Sequence, residues 1–431
     1  MAIGVGLLGG IWLVSHKNKP TASQAPTHAT QPNSTPLNPE LTHNTTLLNP
    51  ELTHNANQFA FNLFKQLIQP DYHARQKPPT IVQNQSPNLV VSPLGVQFVL
   101  TLLLNGATGQ TYDEIARALG FQHASLDEIN QFHLSLQQRL RRWQAESKLV
   151  LANSSWIRPW DSLHPDFERV GKAFYALEAY KVDFRNPVEV ARRINAWGKQ
   201  KTQGFIPQVV QPREIDPETT VAIVNALYLR ALWQQPFKVA DYEMDFFVEA
   251  GRSVRVRPME GELEEVPYMR TEECEIVGLP YRGGDWLCYV VLPRSGLRVE
   301  ELVAGLDAAR WQEWLNQMRP QRVQLVMPRF EVESEYDLIP ALERLGIQRA
   351  FGADAEFPRI LVSGDAGYIY LFKQVSRVRV DERGTEAGAV TVAMEMLLGV
   401  VMQVDRPFLF VIADRSSGTV LFMGIVRQPA G

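Results

Sequence analysis

The chain changes its hydrophobic period about midway, and that constrains its fold most. Early segments repeat at helical spacing. Ala60, Leu63, Phe64 and Leu67 form one such face. Ser92-Pro93 reads as an N-cap followed by proline at the first helical position, ahead of Val96, Val99, Leu100 and Leu103. Thr111 to Glu114 reads as a capping box whose helix stops near Gly120, and Ser125 to Glu128 reads as a second. A further helix is expected from about Pro187, with Val190, Ile194 and Trp197 on one face. Strand patterns then dominate: Leu149–Ile157, Val221–Leu229, Trp286–Leu292, Val323–Val326, Val375–Val380 and Phe408–Ala413. There is no regular strand–helix alternation, so the expectation is α+β rather than a doubly wound sheet. A length of 431 residues suggests about three domains. No low-complexity break divides residues 56–430, however, and a single large domain is predicted there.

The first 55 residues read differently. Ala2 to Val14 is an uncharged run of apolar and small residues, with His16, Lys17 and Lys19 after it. It is short for a bilayer span, which needs about 17–25 residues. Residues 1–19 are therefore predicted to be a signal peptide or signal anchor, placing the protein outside the cytoplasm, secreted or membrane-tethered. Gly4, Gly6 and Gly9 match the dinucleotide fingerprint formally. The match is rejected because no strand precedes it and no acidic residue follows at the required distance. Residues 20–55 are rich in Pro, Thr, Asn and Ser, with LNPELTHN at 37–44 and again at 48–55. Two proline-containing copies cannot build a solenoid, so this stretch is predicted to be a linker.

Composition excludes several classes. The net charge is −4 with mixed signs, giving no basic footprint for nucleic acid. Cys274 and Cys288 could pair at most once. Eight histidines are present and none lies beyond His164, so a histidine base in the predicted domain must come from His73, His123, His133 or His164. No GxSxG, HExxH or P-loop motif is found, and no metal or cofactor is expected.

The most unusual stretch is RVRVDERGTEAGAVTVAMEMLLGVVMQV at 377–404. Taken as a strand, one face is Thr385, Ala387, Ala389, Thr391 and Ala393, all small and uncharged. The other carries Glu386, Gly388, Val390 and Val392, where a carboxylate can stay wet. Gly384 permits a turn at the entry. The pattern suits a segment that is a loop in one state and a strand in another. A permanent strand or a plain surface loop is the alternative.

VDERGTEAGAVT resembles the reactive-loop hinge of serpins. Further resemblances follow in family order: NLVVSPLGV at 88–96, NGATGQTYDEI at 105–115, INAWGKQKTQGFI at 194–206, NALYLRALWQQPF at 225–237 and DRPFLFVIADRSSGTVLFMGIV at 405–426. The resemblance covers about 55–429. It implies a serpin fold, with three β-sheets, eight or nine helices and an exposed reactive-centre loop. It also implies a monomeric suicide substrate and not an enzyme. A target serine protease, or a cysteine protease, would be trapped covalently as the cleaved loop enters the main sheet. A non-inhibitory binding protein or chaperone is the alternative.

Family spacing from Gly384 implies a reactive bond at Leu398–Gly399, with Met396 and Leu397 as alternatives when counted back from Pro407. Each candidate is apolar, which implies chymotrypsin-like or elastase-like targets. The hinge is Glu382, Gly384, Thr385, Glu386, Ala387, Gly388, Ala389, Val390 and Thr391. Arg329, Trp233 and Glu382 match the family's cluster at the top of the sheet, with an Arg329–Glu382 ion pair implied. Ser92, Asn225 and Gln374 match the polar cluster at its centre. Gln374 stands where the family usually has histidine, and Gly95 replaces a common serine. Glu395 is a further departure, because it shares parity with the inward face.

Overall fold

The computed structural model describes residues 3–14, 48–69, 87–141, 148–248, 251–364, 366–382 and 399–429. Nine α-helices lie among these: α1 (Pro50–Leu67), α2 (Pro93–Leu104), α3 (Gly109–Leu119), α4 (Leu126–Arg141), α5 (Pro165–Tyr175), α6 (Pro187–Lys201), α7 (Val299–Ala304), α8 (Ala308–Gln317) and α9 (Ile339–Arg344). The strands are β1 (Ile3–Val14), β2 (Leu89–Val91), β3 (Lys148–Ile157), β4 (Leu177–Lys181), β5 (Thr219–Ala231) and β6 (Lys238–Val239). They continue with β7 (Met244–Phe247), β8 (Ser253–Val256), β9 (Pro258–Arg270), β10 (Cys274–Pro280), β11 (Trp286–Pro293) and β12 (Arg319–Pro328). The last are β13 (Phe330–Asp337), β14 (Tyr368–Val380), β15 (Val400–Gln403), β16 (Phe408–Asp414) and β17 (Val420–Val426).

Three sheets form among the described residues, as an α+β fold. The main sheet has the order β13-β14-β1-β5-β3-β4. A second sheet runs β15-β12-β9-β10-β11-β16-β17-β2, with β6 beside β9, and β7–β8 is a separate pair. The long strand β9 joins the parts of the second sheet, pairing with β12 and, near its end, with β10. One core lies between the two large sheets and takes in α1 and α2. A smaller core fills the space between the opposite face of the main sheet and α6. Residues of α2 are apolar nearly all round, and every one is buried.

Local signals explain most boundaries. Ser92 caps α2 by accepting from the Gly95 amide at 3.2 Å. Ser125 and Glu128 form the expected reciprocal box ahead of α4, and those hydrogen bonds hold the Glu128 carboxyl below its ordinary pKa. Gly120 ends α3 with a φ of 75°.

Two expectations are corrected. Thr111 does not cap a helix: α3 begins a half-turn earlier, at Gly109. The Thr111 hydroxyl accepts from the Glu356 amide, and Glu114 accepts from the amides of Gln348 and Arg349. Tertiary partners have captured both side chains of the apparent box. The helical region also starts before residue 56. Asn49 caps α1 by accepting from Glu51 and Leu52, and Pro50 occupies the first turn. The second copy of the repeat thus supplies a helix N-terminus.

The N-terminal run is also placed unexpectedly. Ile3–Val14 is a strand in the middle of the main sheet, antiparallel to both β5 and β14. Trp12 and Leu13 are buried. No described helix is long and apolar enough to cross a membrane.

Candidate functional site

The site is the seam between β5 and β14. These strands have no pairing with each other, because β1 lies between them along their length. At the upper end, β14 finishes at Val380 and the chain continues through Asp381 and Glu382. The Trp233 indole donates to the Asp381 carbonyl at 3.0 Å. Its ring stacks on Tyr281 with centroids 4.7 Å apart and meets Phe237 edge-on. Arg329 and Glu382 approach to 3.7 Å, with the arginine side chain 41% exposed. A pair that open to water contributes about 0–1 kcal/mol.

Ser92 and Gln374 meet at the centre, and Asn225 does not join them. The Ser92 amide donates to Gln374 Oε1 at 2.9 Å, while Gln374 Nε2 donates to the Ser92 carbonyl at 3.1 Å. Ser92 Oγ donates to the Leu421 carbonyl, and Ser376 Oγ donates to Gln374 Oε1. Glutamine's amide both donates and accepts here, so no ring nitrogen is needed. Asn225 stands on the other flank. Gly9 is in register with both Gln374 and Asn225 and separates them. Asn225 Nδ2 donates to Asn153 Oδ1 at 2.8 Å. Its buried Oδ1 has no hydrogen-bond partner among the described residues.

A third cluster was not legible beforehand. Lys373, on β14, reaches Glu214 Oε1 at 2.8 Å and Glu335 Oε1 at 2.6 Å. Lys373 and Glu214 are both buried, and Glu214 belongs to the short turn Pro212–Glu214 that follows α6. The pair therefore ties the segment after α6 onto the strand that borders the seam. Nearby, Arg377 and Arg379 share the Glu331 carboxylate. These two cations pull its pKa down against the opposing effect of burial, the largest single influence.

The histidines do not assemble into a catalytic arrangement among the described residues. His133 is buried among Phe98, Phe121, Phe132 and Tyr175. Burial pushes its pKa down to about 4. His164 caps α5, accepting from the Asp166 amide at 3.3 Å. His73 lies outside the described residues. Cys274 and Cys288 are buried free thiols.

Residues 381–399 connect β14 to β15. Of the hinge, Glu382 is described; Gly384, Thr385, Glu386, Ala387, Gly388, Ala389, Val390 and Thr391 lie outside the described residues. Met396, Leu397 and Leu398 lie outside them too. Gly399 is described and leads into β15, which pairs parallel with β12.

Comparison with known proteins agrees with this architecture. Residues 54–429 match the family model described as Serpin (serine protease inhibitor). Serpin A3-3 of Bos taurus is 31% identical over 383 residues, covering 86% of this chain and 88% of the relative. An uncharacterized serpin-like protein of Thermococcus kodakarensis is 30% identical, covering 86% and 84% respectively. The native state of tengpin, a thermophilic serpin, superposes with a TM-score of 0.75 at 25% identity, covering 89% of this chain and 95% of that one. Thyroxine-binding globulin in complex with thyroxine gives a TM-score of 0.74 at 25% identity, covering 88% and 100%. The chain belongs to the serpin family.

Proposed function

We propose that this serpin is an inhibitory one, a monomeric suicide substrate for a chymotrypsin-like or elastase-like serine protease. The protease serine oxygen forms an ester with the Leu398 carbonyl while the Leu398–Gly399 peptide bond breaks. The new amine at Gly399 leaves with the proton. The freed segment after β14 then enters the main sheet between β5 and β14, and the acyl-enzyme is carried with it. The inhibitor contributes no catalytic group; the chemistry belongs to the protease.

The observation that carries this reading is the juxtaposition of hinge and seam. A stretch whose alternate residues Thr385, Ala387, Ala389 and Thr391 are small and uncharged follows β14 in sequence after a few residues. β14 borders a seam that accommodates a strand. With the seam open, about ten backbone hydrogen bonds at a net ~1 kcal/mol each supply a drive of order 10 kcal/mol; with β1 in place the loop must first replace that strand's pairing to both neighbours. The open-seam drive is enough to distort protease loops, which sit at the low-stability end of a fold. Arg329, Glu382 and Trp233 would secure the top of the seam, and at its centre the inserted strand would run between Gln374, bonded to Ser92, on one flank and Asn225 on the other. The uncharged N-terminal run supports export or tethering, with the inhibitor acting outside the cytoplasm.

Thyroxine-binding globulin among the structural neighbours favours one second reading, that of a non-inhibitory carrier. To separate the two, the full chain and a Trp12→Asp variant are each mixed with chymotrypsin or elastase and run on a denaturing gel. A covalent complex, with a released peptide starting at residue 397, 398 or 399, supports the inhibitor. Clean cleavage of both proteins by every protease tried leaves the carrier.

A further inference from the structure

The N-terminal strand occupies the place that the cleaved loop needs. We propose that β1 is a built-in plug of the main-sheet seam, and that loop insertion requires its departure. The inference rests on the inhibitory reading for its consequence, but not for the occupancy itself.

Register and residue size support the plug. β1 runs with Ile3 beside Ala231, at the end where β14 leads towards the loop, and with Val14 beside Tyr368 at the other. An inserting loop would enter from the same end and run the same way. Glycines fall where the flanking strands carry long or polar side chains. Gly4 lies between Arg379 and Arg230, Gly6 between Arg377 and Tyr228, and Gly10 between Lys373 and Val224. Gly9 lies between Gln374 and Asn225. The largest residue, Trp12, falls between Leu371 and Ala222. Its ring is buried in the core beneath α6 and meets Phe184 edge-on at 6.2 Å. Leu13 is fully buried in the other core, and its carbonyl accepts from Thr220 at 3.0 Å.

The loop's own sequence shows where the competition lies. β1 is 12 residues long, and the same number of residues after Gly384 runs from Thr385 to Met396. Threaded in β1's register, they set Glu386 beside Arg379 and Arg230. They also set Thr391 between Gln374 and Asn225, where the Asn225 Oδ1 lacks a partner among the described residues. The loop thus suits the upper half of the seam better than β1 does. The lower half reverses this. Met394 replaces Trp12, and Glu395 replaces Leu13, putting a carboxylate in a dry core. Among the described side chains of β1, Trp12 and Leu13 anchor its lower end. A segment so apolar is suited to a bilayer as well as to this seam, so membrane capture or removal of the N-terminus would open the sheet.

The test uses the full chain, with residue 1 verified by mass, beside Trp12→Asp and Glu395→Leu variants. Amide exchange on the unaltered protein reads occupancy without any mutation. Protection of residues 4–13 by more than ~100-fold over free chain is expected, and exchange at free-chain rates overturns the plug. A synthetic Thr385–Met396 peptide should enter Trp12→Asp and not the unaltered chain; equal uptake by both overturns the plug. With chymotrypsin, the covalent fraction should rise several-fold in Trp12→Asp and in Glu395→Leu. Selective peptide uptake with no covalent product in any form keeps the plug and removes the inhibitory reading. A high covalent fraction in the unaltered chain, together with unprotected residues 4–13, does the reverse. If Trp12→Asp fails to fold, exchange on the unaltered chain and the Glu395→Leu result still decide.

Discussion

The two large sheets share apolar cores but differ in the buried polar groups they carry. In the second sheet, β11, β16 and β17 are buried at every position and largely apolar, with pairs such as Val291–Leu409 and Ile412–Phe422. In the main sheet, buried polar groups stand beside the seam, Asn225, Lys373, Gln374 and Ser376, with Asn153 one strand further out. Apolar packing is non-directional and is lost in proportion to the surface exposed. Hydrogen bonds contribute only ~1 kcal/mol net each and can be exchanged for others when a new strand arrives. A sheet that must open gains from the second kind of bonding, and a sheet that must stay shut gains from the first.

Perturbing each sheet should therefore give unlike results. Phe410→Ala in the second sheet deletes a fully buried ring and should cost about 3–5 kcal/mol by denaturant unfolding. It should leave the ratio of trapped to cleaved product unchanged among molecules still folded; a changed ratio would break the comparison. Glu214→Gln leaves Lys373 with Glu335 as its one charged partner, so the loss should fall below the roughly 3–5 kcal/mol of an uncompensated buried charge, at about 1–3 kcal/mol. Because this pair ties the segment after α6 onto β14, which borders the seam, peptide uptake should quicken as stability falls.

A pH series probes the core shared by both sheets. His133 has its pKa depressed to about 4 by burial. Between that value and the ordinary 6.5 the unfolded chain binds the extra proton, so stability rises with pH across this window. The contribution is complete above about pH 6.5 and is lost as pH falls towards 4, amounting to roughly 3 kcal/mol. Asp337 acts in the opposite direction, since burial raises its pKa to about 6. Comparison with His133→Asn isolates the histidine, and the variant should show a flatter acid limb.

Smaller effects belong to the seam itself. Gln374→Ala leaves the buried Ser92 amide without its side-chain acceptor and should cost about 1–3 kcal/mol while altering the trapping ratio. Arg329→Ala removes an exposed partner and should cost no more than about 1 kcal/mol. A larger loss would make the top of the sheet as important as its centre.

Much of the fold was legible in the sequence because period and capping are local. Ser92-Pro93, Ser125–Glu128 and Gly120 act where their neighbours predict. Thr111 and Glu114 show the limit, since partners more than two hundred residues away reassign them. The central cluster was legible by resemblance as residue types, yet the separation of Asn225 from Gln374 depends on which strand lies between. Lys373 and Glu214 carry no local signal of their pairing. Ala2–Val14 is ambiguous for a physical reason: an uncharged apolar run satisfies a membrane and a dry seam alike.

The central claim is that the seam between β5 and β14 accepts the cut loop and so traps a protease. The most direct test is a denaturing gel of the Trp12→Asp variant after brief exposure to chymotrypsin. A band at the summed mass of protease and inhibitor, with a released peptide starting within residues 397–399, is predicted. Complete conversion to two cleaved fragments, with the protease still fully active, would contradict it.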